Sequence, residues 1–219
     1  YAYDKRLYDR LRDRHTRPVR EHLCAGLDYQ DRLARFMENH DEPRAAATFE
    51  PPVREAAAVI TYLSPGLRFF HQGQLEGWQK RISPHLVRAP LEPTDESVQR
   101  FYERLFAVLN DATVRDGSWS LLGCVPAWEG NGTCDCFLAW LWTGQAGERR
   151  LVAINYAGNQ SQCYVRLPAF GGGAVSFRDL MGELAFDRDG DDLDTRGLYL
   201  DLPPWGYHVF ELTATGRAG

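Results

Sequence analysis

The run Ala34-Arg35-Phe36-Met37 stops against five polar residues in succession, Glu38-Asn39-His40-Asp41-Glu42, and then meets Pro43. Phe36 and Met37 fit a buried parallel strand. A proline after Glu42 steers that residue away from helical backbone, which puts Asn39 to Glu42 in a loop at the strand's carboxyl end. In βα architectures that end carries the chemistry. Downstream, Pro51-Pro52-Val53 opens an apolar-rich helix to Leu63, and Ser64-Pro65-Gly66 stops it. A second strand, Leu67-Arg68-Phe69-Phe70, ends in another polar loop, His71-Gln72-Gly73-Gln74-Leu75-Glu76-Gly77. Two strands joined by one helix make a βαβ unit, whose right-handed crossover places both loops on one rim. The two loops are expected to share one cleft.

Charge narrows the class of partner. The formal net charge is -5, and the chain holds only two lysines, Lys5 and Lys80, with its arginines interleaved among acids. Counterion release on a nucleic acid needs clustered basic side chains, so an uncharged partner such as a sugar fits better. No apolar run approaches the roughly twenty residues that span a bilayer, and Tyr1 to Lys5 is no signal-peptide core, so no membrane partner is expected. A start at Tyr without Met reads as a piece of something longer. The five cysteines, Cys24, Cys124, Cys134, Cys136 and Cys163, lack metal-ligand spacing and read as free thiols of a cytoplasmic, reducing compartment.

Along the chain, Leu7, Tyr8 and Leu11 mark an amphipathic helix over Asp4 to Arg14. Pro18 suits the first turn of a second, which Gly26 ends. His15 and His22 have no acidic or thiol neighbour at metal spacing and read as surface or packing residues. Trp78 to Pro93 is irregular, and segments of that length are usually functional or linkers. Thr94-Asp95-Glu96 then starts a helix whose stripe runs from Val98 through Leu109. From Ser118 the period becomes alternating, with Gly and Asn turns between short strands, as in an antiparallel sandwich. The domain boundary is expected at Gly117. Asp187 to Asp194, carboxylates around Gly190, reads as a solvated hairpin between sandwich strands, with calcium a minor alternative because the register is not that of an EF-hand.

The stretch Phe36 to Arg44 resembles the fourth short motif of the α-amylase superfamily, glycoside hydrolase family thirteen, which closes in Asn-His-Asp after the seventh barrel strand. Phe69 to Gly77 resembles that family's eighth-strand end, where an aromatic, Gly and Gln-Glu recur; here Leu75 separates Gln74 from Glu76. The resemblance implies an α/β plus all-β chain. Residues 1–116 would supply the last two strands and helices of a (β/α)8 barrel, and residues 117–219 an antiparallel β-sandwich. It implies a parent acting on α-glucans by hydrolysis or glycosyl transfer.

Cleaving an α-glycosidic bond with retention takes two carboxyl groups roughly 5 to 5.5 Å apart. By resemblance, the nucleophilic Asp and acid/base Glu would precede Tyr1, so this piece alone is expected to be inactive and to need the missing N-terminal barrel segment. The remaining carboxylate is Asp41, which in the family grips sugar hydroxyls at the cleavage subsite. His40 would hydrogen-bond a neighbouring hydroxyl. Asn39 would orient the loop through backbone bonds or bind. His71, Gln72 and Gln74 would line the wall, and Trp78 would stack on a sugar ring or cover the rim. No cofactor is required. A rival reading takes His40, Asp41, Glu38 and His71 as a phosphohydrolase metal site. A third is a non-catalytic carbohydrate-binding or interaction module. Two strands cannot close a barrel of eight, so exposed apolar surface and self-association are expected of the chain by itself.

Overall fold

Asp4 begins the first helix by accepting a hydrogen bond from the Leu7 amide at 3.1 Å, and a two-residue strand precedes it. In this computed structural model, which describes residues 1–83, 85, 88 and 90–215, the chain divides into two compact units, Tyr1–Ala107 and Val108–Gly219. Part of the Trp78 to Pro93 segment lies outside the described residues. The first unit opens with β1 (Ala2–Tyr3), α1 (Lys5–Arg12), α2 (Thr16–Leu23) and α3 (Leu27–Gln30). It continues through β2 (Leu33–Arg35), α4 (Ala45–Thr48), α5 (Pro51–Leu63), β3 (Leu67–Arg68) and α6 (Glu96–Asn110). The strands form one parallel sheet in the order β1-β2-β3. Strand β1 corrects the expectation of two strands; Ala2–Tyr3 is too short to display a period.

Local chemistry explains these elements. Pro51 and Pro52 occupy the first helical positions of α5, where a missing N–H costs nothing. From Ala56 to Leu63 every residue of α5 is buried, as expected of a helix that is apolar all round. Gly66 turns the chain from α5 into β3 at φ +117°, and a Cβ there would sit 2.6 Å from the Leu33 carbonyl oxygen.

Beneath the sheet lies a buried polar cluster. Arg35, fully buried, donates to Asp4, to Gln30 Oε1 at 2.9 Å and to the Pro65 carbonyl at 2.7 Å. His22 is also buried, with Nε2 2.8 Å from Asp4 Oδ2. His22 is thus a buried packing residue, one of the two roles expected for it, and it has an acidic partner. The partner comes from the end of β1, remote in sequence.

The second unit begins in the last turn of α6, earlier than Gly117. The reason is that Asp111 caps α7 (Ala112–Arg115) and accepts from Arg150 Nε at 2.8 Å, and α7 packs on two strands of this unit. The strands are β4 (Ser118–Leu121), β5 (Cys124–Pro126), β6 (Phe137–Thr143), β7 (Arg149–Asn155), β8 (Ser161–Val165) and β9 (Ala174–Asp179). They continue with β10 (Ala185–Asp189), β11 (Leu198–Leu202) and β12 (Tyr207–Thr215). Two antiparallel sheets result, β10-β9-β12-β7-β6-β4 and β11-β8-β5. Phe137, Ala139, Leu141, Leu151 and Ala153 of the larger share one core with Cys163, Val165, Leu198, Leu200 and Leu202 of the smaller. The alternation of buried and outward residues along β8 and β11 is what a half-buried strand requires.

One expectation fails here. After β10 the acidic run forms a helix, α8 (Gly190–Arg196), and not a hairpin. Asp189 caps it through the Asp192 amide at 3.0 Å, and Asp191 and Asp192 in its first turn suit the positive end of the helix. Asp194 accepts from the Phe170 amide at 2.7 Å and Asp187 from the Ser176 hydroxyl. All five cysteines are free thiols. Among the described residues no helix is long and apolar enough to cross a membrane.

Candidate functional site

Beyond β2 the backbone stays buried through Phe36, Met37 and Glu38 before it surfaces at His40. The Met37 sulfur accepts from the Thr61 hydroxyl of α5 at 3.3 Å, which anchors the approach. Asn39, itself buried, folds the loop: its Oδ1 accepts from the amides of Asp41 at 2.8 Å and Glu42 at 2.9 Å. That is the backbone-orienting geometry expected of an Asn at such a turn. His40 and Asp41 are thereby lifted outward, with 54% and 72% of their side-chain surfaces exposed and His40 Nε2 3.3 Å from Asp41 Oδ2. Arg81 clasps the His40 carbonyl through Nη2 at 3.1 Å.

Under this loop sits an ion pair. Arg44 Nη1 lies 2.6 Å from Glu38 Oε1, and the two side chains are 3% and 1% exposed. Glu38 Oε2 accepts from the Ala45 amide at 2.7 Å. Arg44 then reaches into the segment after β3, where it donates to the carbonyls of Gln72 and, through Nε at 3.2 Å, of Lys80. His71 Nδ1 lies 2.9 Å from Arg44 Nη1 and 3.2 Å from Glu38 Oε1. One guanidinium thus joins the loop after β2 to the loop after β3.

The expected wall residues separate. His71 is partly open and Gln72 is exposed, but Gln74 is buried. Its Nε2 donates to the hydroxyls of Tyr62 at 2.7 Å and Tyr102 at 2.8 Å, and its Oε1 accepts the His71 amide at 3.3 Å. Both amide ends of Gln74 therefore lock the loop from inside, and burial pushes the Tyr62 and Tyr102 phenols above their ordinary range. Trp78 is half-buried, and its ring fills the space where a side chain on Gly73 would lie. The ring thus packs on the loop after β3.

Sequence reasoning missed Arg44 as a structural centre. The available signal was its spacing of six from Glu38 across a Pro-containing turn, which can bring the ends of a loop together. The metal reading of Glu38, His40, Asp41 and His71 meets a filled position, because the Glu38 carboxylate is already balanced by Arg44. Among the described residues no group of three or more His, Cys, Asp or Glu side chains is arranged to hold a metal ion.

Short parallel strands interspersed with helices and followed by two antiparallel sheets define a fold shared with α-amylases of known structure. In particular, the chain resembles a maltogenic α-amylase, AmyB, from Thermotoga neapolitana, at 14% identity and a TM-score of 0.75, over 97% of this chain and 50% of that one. It resembles an α-amylase from Geobacillus thermoleovorans, solved with acarbose, at 18% identity and a TM-score of 0.70, over 96% and 47%. A γ-cyclodextrin glucanotransferase (γ-CGTase) from alkalophilic Bacillus clarkii matches at 19% identity and a TM-score of 0.66, over 98% and 31%. At these identities the likeness is one of fold, and the chain spans about half the length of the first two. No family model matches the chain. No curated protein matches it in sequence either.

Proposed function

We propose that this chain is the C-terminal part of an α-amylase-type retaining glycoside hydrolase or transglycosylase acting on α-glucans. In this reading β1, β2 and β3 are the last three strands of a (β/α)8 barrel, and the second unit is its terminal antiparallel domain. The observation that carries it is the Asn39-His40-Asp41 turn at the carboxyl end of β2, held against the loop after β3 by Arg44. Asp41 would grip hydroxyls of the distorted sugar and His40 a neighbouring one. Such contacts speed the reaction only so far as they tighten in the transition state, so their loss lowers turnover and not binding alone. The nucleophile and acid/base come from upstream strands, and the chain by itself is inactive. No metal is needed for the chemistry.

The missing barrel segment is the natural partner. Among the described residues only β2 of the parallel sheet has a neighbour on both sides, and Tyr1, Tyr3 and Leu67 on the outer strands and their approach are exposed. Without that segment the same edges favour self-association.

The test is the gene upstream of Tyr1, followed by assay of the complete product on soluble starch. An open frame with strands ending in an Asp and then a Glu, and an Asp41→Asn protein that loses turnover, supports the reading. A frame lacking those carboxylates would sink it in favour of a non-catalytic carbohydrate-binding or interaction module.

A further inference from the structure

Three acceptors crowd one nitrogen in the buried network. Arg44 Nη1 lies 2.6 Å from Glu38 Oε1, against the Gln72 carbonyl oxygen and 2.9 Å from His71 Nδ1, while Nδ1 lies 3.2 Å from Oε1. A terminal guanidinium nitrogen carries two hydrogens, and neither a carboxylate nor a carbonyl oxygen can donate. With Nδ1 bare, three acceptors would compete for two hydrogens. With a proton on Nδ1 the set balances. Arg44 then serves Glu38 and Gln72, His71 serves Glu38, and the second carboxylate oxygen keeps the Ala45 amide. The approach of Nδ1 to Nη1 becomes one between two donors that share an acceptor.

We infer that Glu38, its charge balanced by Arg44, is a positioning residue that holds neutral His71 in the Nδ1–H tautomer and leaves Nε2 as a hydrogen-bond acceptor. Among the described residues Nε2 has no hydrogen-bond partner, and 27% of the His71 side chain is open. Arg44 is the second positioning residue, because it neutralises Glu38 without taking Nδ1. That the acceptor meets a hydroxyl hydrogen of a sugar rests on the glycosidase reading; the tautomer does not.

Long-range proton–nitrogen correlation spectra of the uniformly 15N-labelled chain, at mildly alkaline pH where an imidazole is neutral, read the tautomer directly. The chain has six histidines, and the His71 signals are assigned by their loss in His71→Phe. The expected pattern is a protonated Nδ1 with a bare Nε2. The reverse pattern in the unmodified chain would overturn the inference. Glu38→Gln supplies an amide that can donate to Nδ1, so its spectrum is expected to shift toward the Nε2–H form. A folded Glu38→Gln chain with an unchanged pattern would overturn the role given to Glu38. Should that variant fail to fold, the pattern of the unmodified chain decides. The readout needs neither substrate nor turnover, so a complete protein inactive on glucans would defeat the proposed function and leave this result standing.

Discussion

Replacing Arg44 by Met keeps much of the side chain's length and removes its charge, which strands the Glu38 carboxylate in a site where it is 1% exposed. Breaking a buried pair by deleting one partner costs about 3–5 kcal/mol, because the remaining charge is uncompensated. The lost donors to Gln72 and Lys80 act in the same direction. For a unit of this size each kcal/mol lowers the melting point by roughly 4–8 °C, so a fall of about 12 °C or more is expected in the first unit. Removing both charges in Glu38→Gln/Arg44→Met takes away the stranded ion, and the double variant is expected to recover at least half of the loss. Urea unfolding, followed peptide by peptide with hydrogen-exchange mass spectrometry, separates Tyr1–Ala107 from the rest. A single variant within about 0.5 kcal/mol of the parent, or a double variant as unstable as the single, would refute the claim that Glu38 is an ionised, buried partner of Arg44.

Asp41→Asn is expected to leave stability within about 0.5 kcal/mol, since the side chain is mostly exposed, yet to lower kcat of the complete protein by roughly 100-fold or more on soluble starch. Gln74→Leu deprives the buried Tyr62 and Tyr102 hydroxyls of a shared donor and is expected to cost about 1–3 kcal/mol, read by the same urea titration. Burial alone would raise the Asp4 carboxyl, but the His22 hydrogen bond and the Arg35 charge outweigh it and hold the group below its ordinary value of 3.8. A depressed carboxyl stabilises the fold above its unfolded value and loses that contribution as pH falls through the folded one. The Asp4 contribution is therefore present above about pH 4 and disappears in more acid solution; Asp4→Asn should flatten that part of a melting-point profile. Light scattering of the chain by itself is expected to show oligomers; a monomer at all concentrations would count against open strand edges.

Elements with a full period were legible: α1, α5, α6 and the strands β4, β6, β7, β8, β9, β11 and β12 lie within a few residues of where apolar spacing and turn residues place them, whereas β5 and β10 were not placed. Strand β1 was not, because two residues carry no period and only pairing with Leu33 and Ala34 defines them. Helix α8 was misjudged since carboxylates around a glycine also suit a turn, and the decisive fact, Asp189 capping Asp192, appears only once the chain is folded. At the site, the turn made by Asn39 followed from its residue type. The burial of Gln74 did not, because its partners Tyr62 and Tyr102 come from two helices whose approach no local pattern reveals.

The seat of Trp78 on Gly73 also gives the chain an optical property. Trp78 is the one tryptophan among residues 1–107, and its indole N–H is buried with no hydrogen-bond partner among the described residues. An indole so placed emits at shorter wavelength than one in water. Gly73 stands at φ +89°, where any side chain would both strain the backbone and displace the ring. The difference in emission between the chain and its Trp78→Phe form therefore isolates one fluorophore, whose colour reports whether the ring keeps its seat on Gly73.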